Sequence, residues 1–313
     1  MTVSSDALER SLARVEARVG SRRAGLYGPG SVSWEVNRES VTMLGGGCAA
    51  LMQLAHPHVA YAVDQHSQTR ADPVGRFART FQHVFAMAFG DLDSALASAR
   101  RVHALHRTIR GRVHEDVGRS RRGDRYEAND PSALLWVHAT LVDTALRVYE
   151  LTVTRLGRLE REAYYEESKL FAYLFGIEEP ILPETWDDFE RYYADTIESG
   201  LLAASEPARR MREFLFRPPT AAHAPLTAWF EVFTAGLLPE RLREPFGFPF
   251  RARERAVFRA SLPALRAAVR AAPPQLRFFP AYLDAMRRIR GRPGRDRIAS
   301  WLESMALASL QPR

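Results

Sequence analysis

The chain is predicted to be an all-α protein. Apolar residues recur at helical spacing along nearly all of its 313 residues, and helix-start signals precede many of those stretches. No series of β-branched runs alternates at period two, so nothing points to a sheet of any size. The opening stretch, MTVSSDALERSLARVEARVG, is an amphipathic charged helix and lacks the make-up of a signal peptide. A helix is expected from about Pro73 to Phe89, with Phe77, Phe81, Val84, Phe85 and Ala88 on its buried side. Asp91 and Asp93 are N-cap candidates for a helix running to about Val113. Asp130 followed by Pro131 is a strong start, because proline suits the first helical position, and that helix should run to about Arg155. Ser168 to Phe175, Thr185 to Ala204, Pro207 to Phe216 and Ala224 to Ala235 read as further helices. So do Arg251 to Arg270, Pro280 to Arg290 and Asp296 to Leu310.

The breaks at 25–30, 114–129, 176–183, 217–225, 239–250 and 271–274 are polar or rich in proline and glycine. None has the length or low complexity of a linker, and no internal repeat is found. The expectation is one all-α domain over 1–313, with 221–313 packing as a C-terminal helical layer.

Composition narrows the class. The chain is 46% apolar and 26% charged, hence globular, and long enough to enclose a cavity. Its net charge is +7, carried almost wholly by arginine, with Lys169 the single lysine. Such a balance suits an anionic cofactor, an anionic membrane surface or nucleic acid. Nucleic acid is set aside, because acidic residues are interleaved among the arginines and no aromatic-basic signature is present. The dense basic run at 118–125, GRSRRGDR, reads as a solvated loop. Cys48 stands alone, which excludes a disulfide framework, a zinc ribbon and covalent haem attachment. The longest apolar stretch, Val41 to Val63, is broken by glycines, histidines and a proline, so no integral membrane segment is expected. The protein therefore reads as soluble and cytoplasmic.

The histidines carry the chemistry. Ala95, Ala99, Val102, His106, Ile109 and Val113 share one helix face, an apolar stripe containing a histidine. His103 falls on a different face with Arg100, Arg107 and Arg110, toward solvent or a carboxylate. In the next helix His138 lies on a stripe with Leu134, Leu141, Ala145 and Val148, expected to be almost fully buried. The neighbouring face, Leu135, Val142, Leu146 and Tyr149, is apolar too. A ring nitrogen facing an apolar interior needs a hydrogen bond or a metal. Two readings follow: core histidines bonded to a carbonyl or carboxylate, or the parts of a haem pocket. Arg76, Arg79, Thr80 and His83 occupy the arc opposite Phe77, Phe81 and Phe85. That arc is either a solvated face or a cavity wall that meets an anion such as a haem propionate.

Other motifs fall short. Gly45-Gly46-Gly47-Cys48-Ala49-Ala50, with Asp64 or Asp72 beyond it, fits a loose dinucleotide fingerprint, but the βαβ unit this requires is missing. A close approach of helices or a cofactor is the plainer reading, and a nicotinamide-dependent oxidoreductase the lesser alternative. Glu-x-x-His pairs, His-Glu-x-x-His and Gly-x-Ser-x-Gly are all absent. His56-Pro57-His58 and Asp64-Gln65-His66-Ser67 could give metal ligands but lack a third partner.

A series of motifs in order resembles the MpaB-type or rubber-oxygenase catalytic family, also known as the domain-of-unknown-function 2236 proteins. It runs Trp34-Glu35-Val36 with Glu39, Gln53-Leu54-Ala55-His56-Pro57, Asp64 with His66-Ser67, and Arg76-x-x-Arg79-Thr80. It continues with His106-x-x-Ile109-x-Gly111, Tyr126-x-Ala128-Asn129-Asp130-Pro131 and Leu134-Leu135-Trp136-Val137-His138. The resemblance implies a globin-like helical core around a buried cofactor pocket, with a family-like catalytic core at about 30–220. It also implies a b-type haem held by one histidine, and dioxygen chemistry on an apolar substrate. Its spacing favours His106 as the axial ligand, with His138 as runner-up or as a neighbour of the site. Arg79 and Thr80 would then face dioxygen, and Arg76 would hold a propionate or brace the pocket. The polyisoprene-cleaving branch carries lysine where this chain has Arg79, and its acidic base would fall near Ala60. Arginine stays protonated and is a poor iron ligand, so rubber cleavage is not the expected reaction. The expected function is thus a haem b-dependent oxygenase for a small apolar molecule. The alternative is a non-catalytic helical container for haem or an apolar ligand. The sequence leaves room for a homodimer.

Overall fold

Helix caps set the order of the elements. In this computed structural model residues 2–66, 82–292 and 294 are described. The Ser4 hydroxyl accepts from Ala7 N and opens α1, Ser5–Arg18, whose inner face is Leu8, Leu12 and Val15. Ser31 caps α2, Val32–Asn37. The Glu167 carboxylate accepts from Val32 N (3.3 Å) and Ser33 N (2.6 Å), an anion on a helix N-terminus. A 3-10 turn, Ser40–Gly45, leads into α3, Gly46–Leu54, followed by α4, Pro57–His66. Residues 82–89 form α5. The Asp91 carboxylate then accepts from Ser94 N (2.8 Å) and starts α6, Leu92–His106.

The chain leaves the helical path at His106 rather than at Val113. Thr108 Oγ1 turns back onto Leu105 O (2.7 Å), and Arg110–Arg112 (β1) pairs antiparallel with Arg125–Glu127 (β2). Gly111 lies opposite Tyr126, and a Cβ there would meet the Tyr126 hydroxyl at 2.5 Å and Gln65 Oε1 at 2.6 Å. Only glycine permits that approach. Val113 is buried as the stripe predicted, but against Tyr61 and Tyr126, and it arrives on a hairpin.

Asp130 receives Ser132 N (2.8 Å) and Ala133 N (3.1 Å) and launches α7, Pro131–Thr152. The fully buried faces of α7 carry Leu134, Leu135, Trp136, Val142, Leu146 and Val148. Leu141 and Ala145, expected to be almost fully buried, are only partly so. Trp136 Nε1 donates to Met52 O (2.8 Å), and its ring stacks on Tyr193 at 5.4 Å. The next helix, α8, Arg158–Tyr173, starts well before the expected Ser168, because Glu160 bonds back to Gly157 N (2.6 Å). Thr185 and Asp188 cap each other at the start of α9, Trp186–Glu198. It stops short of Ala204, and Gly200 follows at φ +78°. Then come α10 (Glu206–Leu215), α11 (Ala224–Leu237), α12 (Glu240–Arg243), α13 (Ala252–Ala271), α14 (Pro274–Arg277) and α15 (Pro280–Ile289). The helix expected over Asp296–Leu310 lies outside the described residues.

The fold is all-α, and the β1–β2 hairpin is the only sheet among the described residues. Two apolar clusters share α7. One holds Trp136, Val142 and Leu146 with Tyr164, Tyr165, Phe189 and Phe233. The other holds Leu134 and Leu135 with Trp34, Phe89, Leu96 and Tyr173. The glycine cluster is explained by packing. A Cβ on Gly45 would meet Val148 Cγ2 at 3.1 Å, and one on Gly47 would meet Thr234 Oγ1 at 2.5 Å, so α3 is wedged between α7 and α11. No strand precedes it among the described residues, and protein atoms crowd Gly45 and Gly47, which speaks against the dinucleotide alternative. Glu39 is 1% exposed and takes a two-pronged bond from Arg277, with Nη2–Oε1 at 2.7 Å and Nε–Oε2 at 2.8 Å. No helix among the described residues is long and apolar enough to cross a membrane.

Candidate functional site

His138 sits in the N-terminal half of α7, facing α8. It is 4% exposed, its ring lies nearly parallel to Phe171 at 6.4 Å, and neither ring nitrogen has a hydrogen-bond partner. Burial alone pushes its pKa down to about 4, so the ring is neutral at pH 7. An unpartnered buried polar group typically costs about 1–3 kcal/mol, which makes it a feature that calls for a cause. The reading of a satisfied core histidine, bonded to a carbonyl or carboxylate, does not hold for this residue.

His106 is the last residue of α6 and is partly exposed, since helical phase ceases to govern orientation where the helix ends. Its Nδ1 is nonetheless buried and without a partner. Burial, reinforced by His103 and partly offset by the Asn129 side chain, brings its pKa down to about 4. His103 departs from expectation. It was assigned to solvent or a carboxylate, yet it is 6% exposed and neither of its nitrogens is bonded. Burial and Arg107 lower its pKa, while the Glu9 carboxylate on α1 pulls the other way.

Of the expected arc on the preceding helix, Arg76, Arg79 and Thr80 lie outside the described residues. His83 is described, and its Nδ1 pairs with the fully buried Ser98 Oγ on α6 at 2.7 Å. That contact ties α5 to α6. His56 is 3% exposed with an unbonded Nδ1, and burial followed by the neighbouring His58 lowers its pKa to about 4. The two rings stand edge to face at 5.3 Å. His66 has its Nε2 3.0 Å from Arg110 O, which fastens α4 to the hairpin. No cluster of three metal-ligating side chains occurs among the described residues, so the His56–His58 and Asp64–His66 pairs form no metal centre there. A haem iron makes a smaller demand, a single neutral imidazole nitrogen.

Two open concavities lie elsewhere. One of about 470 Å³ is lined by Asp116, Gly118, Gly200, Arg209 and Arg241, the other of about 620 Å³ by Arg119, Ile181, Tyr192 and Asp195. No histidine lines either one, so shape and chemistry point to different places, and the unpartnered imidazoles are the better guide. Sequence reasoning gave Asn129 no role. Its place one residue before the Asp130 cap was visible, but its bond to His103 O depends on the hairpin.

The chain matches the family described as ER-bound oxygenase mpaB/B'/Rubber oxygenase, catalytic domain, over residues 34–267. It belongs to this family. The match spans every described histidine discussed above, together with the glycine cluster and α7. Membership of an MpaB/rubber-oxygenase family makes oxygenase-type chemistry the function class of this chain. No curated protein and no solved structure matches it.

Proposed function

We propose that this protein is a haem b-dependent oxygenase acting on a small apolar molecule, with His106 as the axial ligand. The observation that carries the reading is the buried, unbonded Nδ1 of His106 inside the family-matched region. A neutral imidazole whose lone pair has no other use is what ligation by iron requires. When bound, haem b would supply an iron that can activate dioxygen.

The chain's own residues do the rest. His106 would supply a ring nitrogen to the iron and stays neutral well below pH 7, because burial opposes its protonation. Phe85, Leu134, Leu135 and Phe171 belong to one apolar cluster, beside the ring contact of Phe171 with His138, which would keep water away from an apolar substrate bound there. Arg76 would bind a propionate, while Arg79 and Thr80 would offer a fixed cation and a hydroxyl to dioxygen. Excess positive charge favours retention of the dianionic cofactor.

A non-catalytic container is the competing reading, and one observation favours it: His138 also has unbonded nitrogens, so both positions on an iron could be filled by histidine. Purified protein reconstituted with haem should show a Soret band at near-equal stoichiometry, and its ferrous form should bind carbon monoxide. His106→Ala should lose the band while the helical circular dichroism persists, and His103→Ala should keep it. Haem lost only in His138→Ala would move the ligand to α7. Ferrous protein that takes up no carbon monoxide would favour the container.

A further inference from the structure

Charge is spread unevenly along the chain. From Pro245 to Leu283 there are seven arginines and one acidic residue, Glu254. Arg277 is engaged by Glu39, and the other six open or line α13: Arg251, Arg253, Arg255, Arg259, Arg266 and Arg270. All six are exposed, and among the described residues none forms an ion pair with a carboxylate. Glu254 itself accepts from the backbone N–H of Arg251 at 2.8 Å. The contrast with α1 is sharp, because that helix pairs its arginines off. Arg10 meets Glu178 at 3.1 Å, and Arg14 and Arg18 meet Glu179 at 3.2 and 3.1 Å.

Packing fixes which side of α13 faces out. Phe258, Leu262 and Leu265 pack against the core, with Phe258 on Phe233 at 5.4 Å and Ser261 Oγ accepting from Trp229 Nε1 at 2.8 Å. Arg255, Arg259, Arg266 and Arg270 follow 4-7-4 spacing, a single outward stripe about 22 Å long at helical rise. Arg255 Nη1 donates to Phe250 O (2.9 Å) and Arg266 Nε to Leu151 O (2.8 Å). Both acceptors are neutral carbonyls, so these bonds hold the side chains without cancelling their charge. Beside the stripe, the exposed positions Ala256, Ala260, Pro263 and Ala267 carry no charge. Exposed aliphatic side chains flank it: Val257 on the same helix, Leu226 on α11 one turn before Trp229, and Leu276 on α14.

A row of unpaired cations among exposed aliphatic side chains fits a surface that is anionic at its boundary and apolar beneath. We propose that α13 docks this protein on an anionic lipid surface, with Arg255, Arg259, Arg266 and Arg270 lying over the charged headgroups. A nucleic acid would be met by exposed rings or amides that stack on or bond to its bases. The one ring of α13, Phe258, packs instead on Phe233 and Phe250, and the uncharged exposed neighbours are aliphatic. Attraction to such a surface adds charge by charge, at about fivefold in affinity for each arginine brought near it. Salt weakens it by shortening the reach of each charge. The docking is independent of haem and of the histidines.

Vesicle sedimentation of the intact chain tests this. The protein should sediment with vesicles of phosphatidylcholine and phosphatidylserine mixed three to one, stay in solution with phosphatidylcholine alone, and be released as salt is raised. Arg259→Gln combined with Arg270→Gln removes two arginines that make no hydrogen bond among the described residues, and should weaken binding by about 30-fold. Arg259→Lys with Arg270→Lys keeps the charge and should keep the affinity. Arg10→Gln with Arg14→Gln lowers the net charge equally, on α1, and should bind as wild type does. No binding to the mixed vesicles, or equal binding to phosphatidylcholine alone, would overturn the docking. Unchanged affinity in the α13 glutamine variant, or an equal loss in the α1 variant, would remove α13 as its site. Should the glutamine variant fail to fold, Ala260→Glu with Ala267→Glu sets anions beside the stripe, and unchanged affinity there would overturn the proposal equally. A duplex oligonucleotide that strips the protein from the vesicles at equal phosphate concentration would give this face to nucleic acid instead.

Discussion

His138 lies within α7, a helix buried on several faces, whereas His106 ends α6 where the chain turns into a hairpin. Both rings are held neutral by burial, with pKa values near 4. The first lies against the Phe171 ring with both nitrogens unbonded, and the second, at a helix end and partly exposed, has a buried Nδ1 without a partner. The contrast teaches that depth and orientation are separate properties. A helix interior can bury an imidazole without directing either nitrogen. A helix end beside a returning strand offers backbone polar groups that a helix interior does not.

The comparison can be broken most forcefully on the α7 side. Trp136→Ala removes a ring that is 1% exposed, its bond to Met52 O and its stack on Tyr193. The expected loss is about 3–5 kcal/mol by urea unfolding. A loss below about 1 kcal/mol would mean that α7 does not organise its cluster. His138→Phe, read in haem-free protein, comes next. The folded pKa of about 4 lies below the ordinary 6.5, so between those values the unfolded chain holds the extra proton. The stability concerned is complete above about pH 6.5 and is lost as the pH falls toward 4. From the cited shift it amounts to about 3 kcal/mol. The variant's stability should decline less steeply over that interval, and a slope identical to wild type would show that His138 is hydrated.

Smaller effects sharpen the hairpin side. Gly111→Ala places a methyl against the Tyr126 hydroxyl and Gln65 Oε1, at an expected cost of about 1–3 kcal/mol. If the hairpin holds the His106 end of α6 in place, haem affinity should fall along with stability, and wild-type affinity would separate the two. Asp130→Ala removes the cap at the junction of hairpin and α7, at an expected cost of about 1 kcal/mol. Hydrogen exchange should show the loosening confined to the first turn of α7, and uniform loosening would contradict a local cap.

The same two regions show what the sequence made legible. The Asp130–Pro131 start, two adjacent apolar faces and a long uninterrupted period defined α7 to within a few residues of its end. The end of α6 was ambiguous. Ile109 and Val113 fit the helical stripe, yet Ile109, Gly111 and Val113 also alternate inward past the exposed Arg110 and Arg112. Tertiary packing over Gly111 decided for the strand, and local propensity could not reveal it. His106 was found by spacing and by resemblance. His103 is covered although its arginine neighbours suggested solvent, because α1, distant in sequence, packs on α6 and brings the Glu9 carboxylate, the other expected neighbour. The bond from Asn129 Nδ2 to His103 O was not legible in the sequence, because hairpin closure supplies it. Arg76, Arg79 and Thr80 remain expectations from sequence.

The Glu39–Arg277 pair joins the family-matched region to a residue ten positions beyond its end at 267. Main-chain contact reinforces the join, with Phe279 N on Arg38 O at 2.9 Å. A recombinant fragment trimmed to 34–267 would thus leave the buried Glu39 carboxylate without its two-pronged partner and with only Arg38 Nε, 3.8 Å away, beside it, a loss of up to about 3–5 kcal/mol. The boundary of recognisable ancestry and the boundary of what can be expressed as a folded unit are different lines. A gene design that confuses them should yield inclusion bodies, whatever cofactor is supplied.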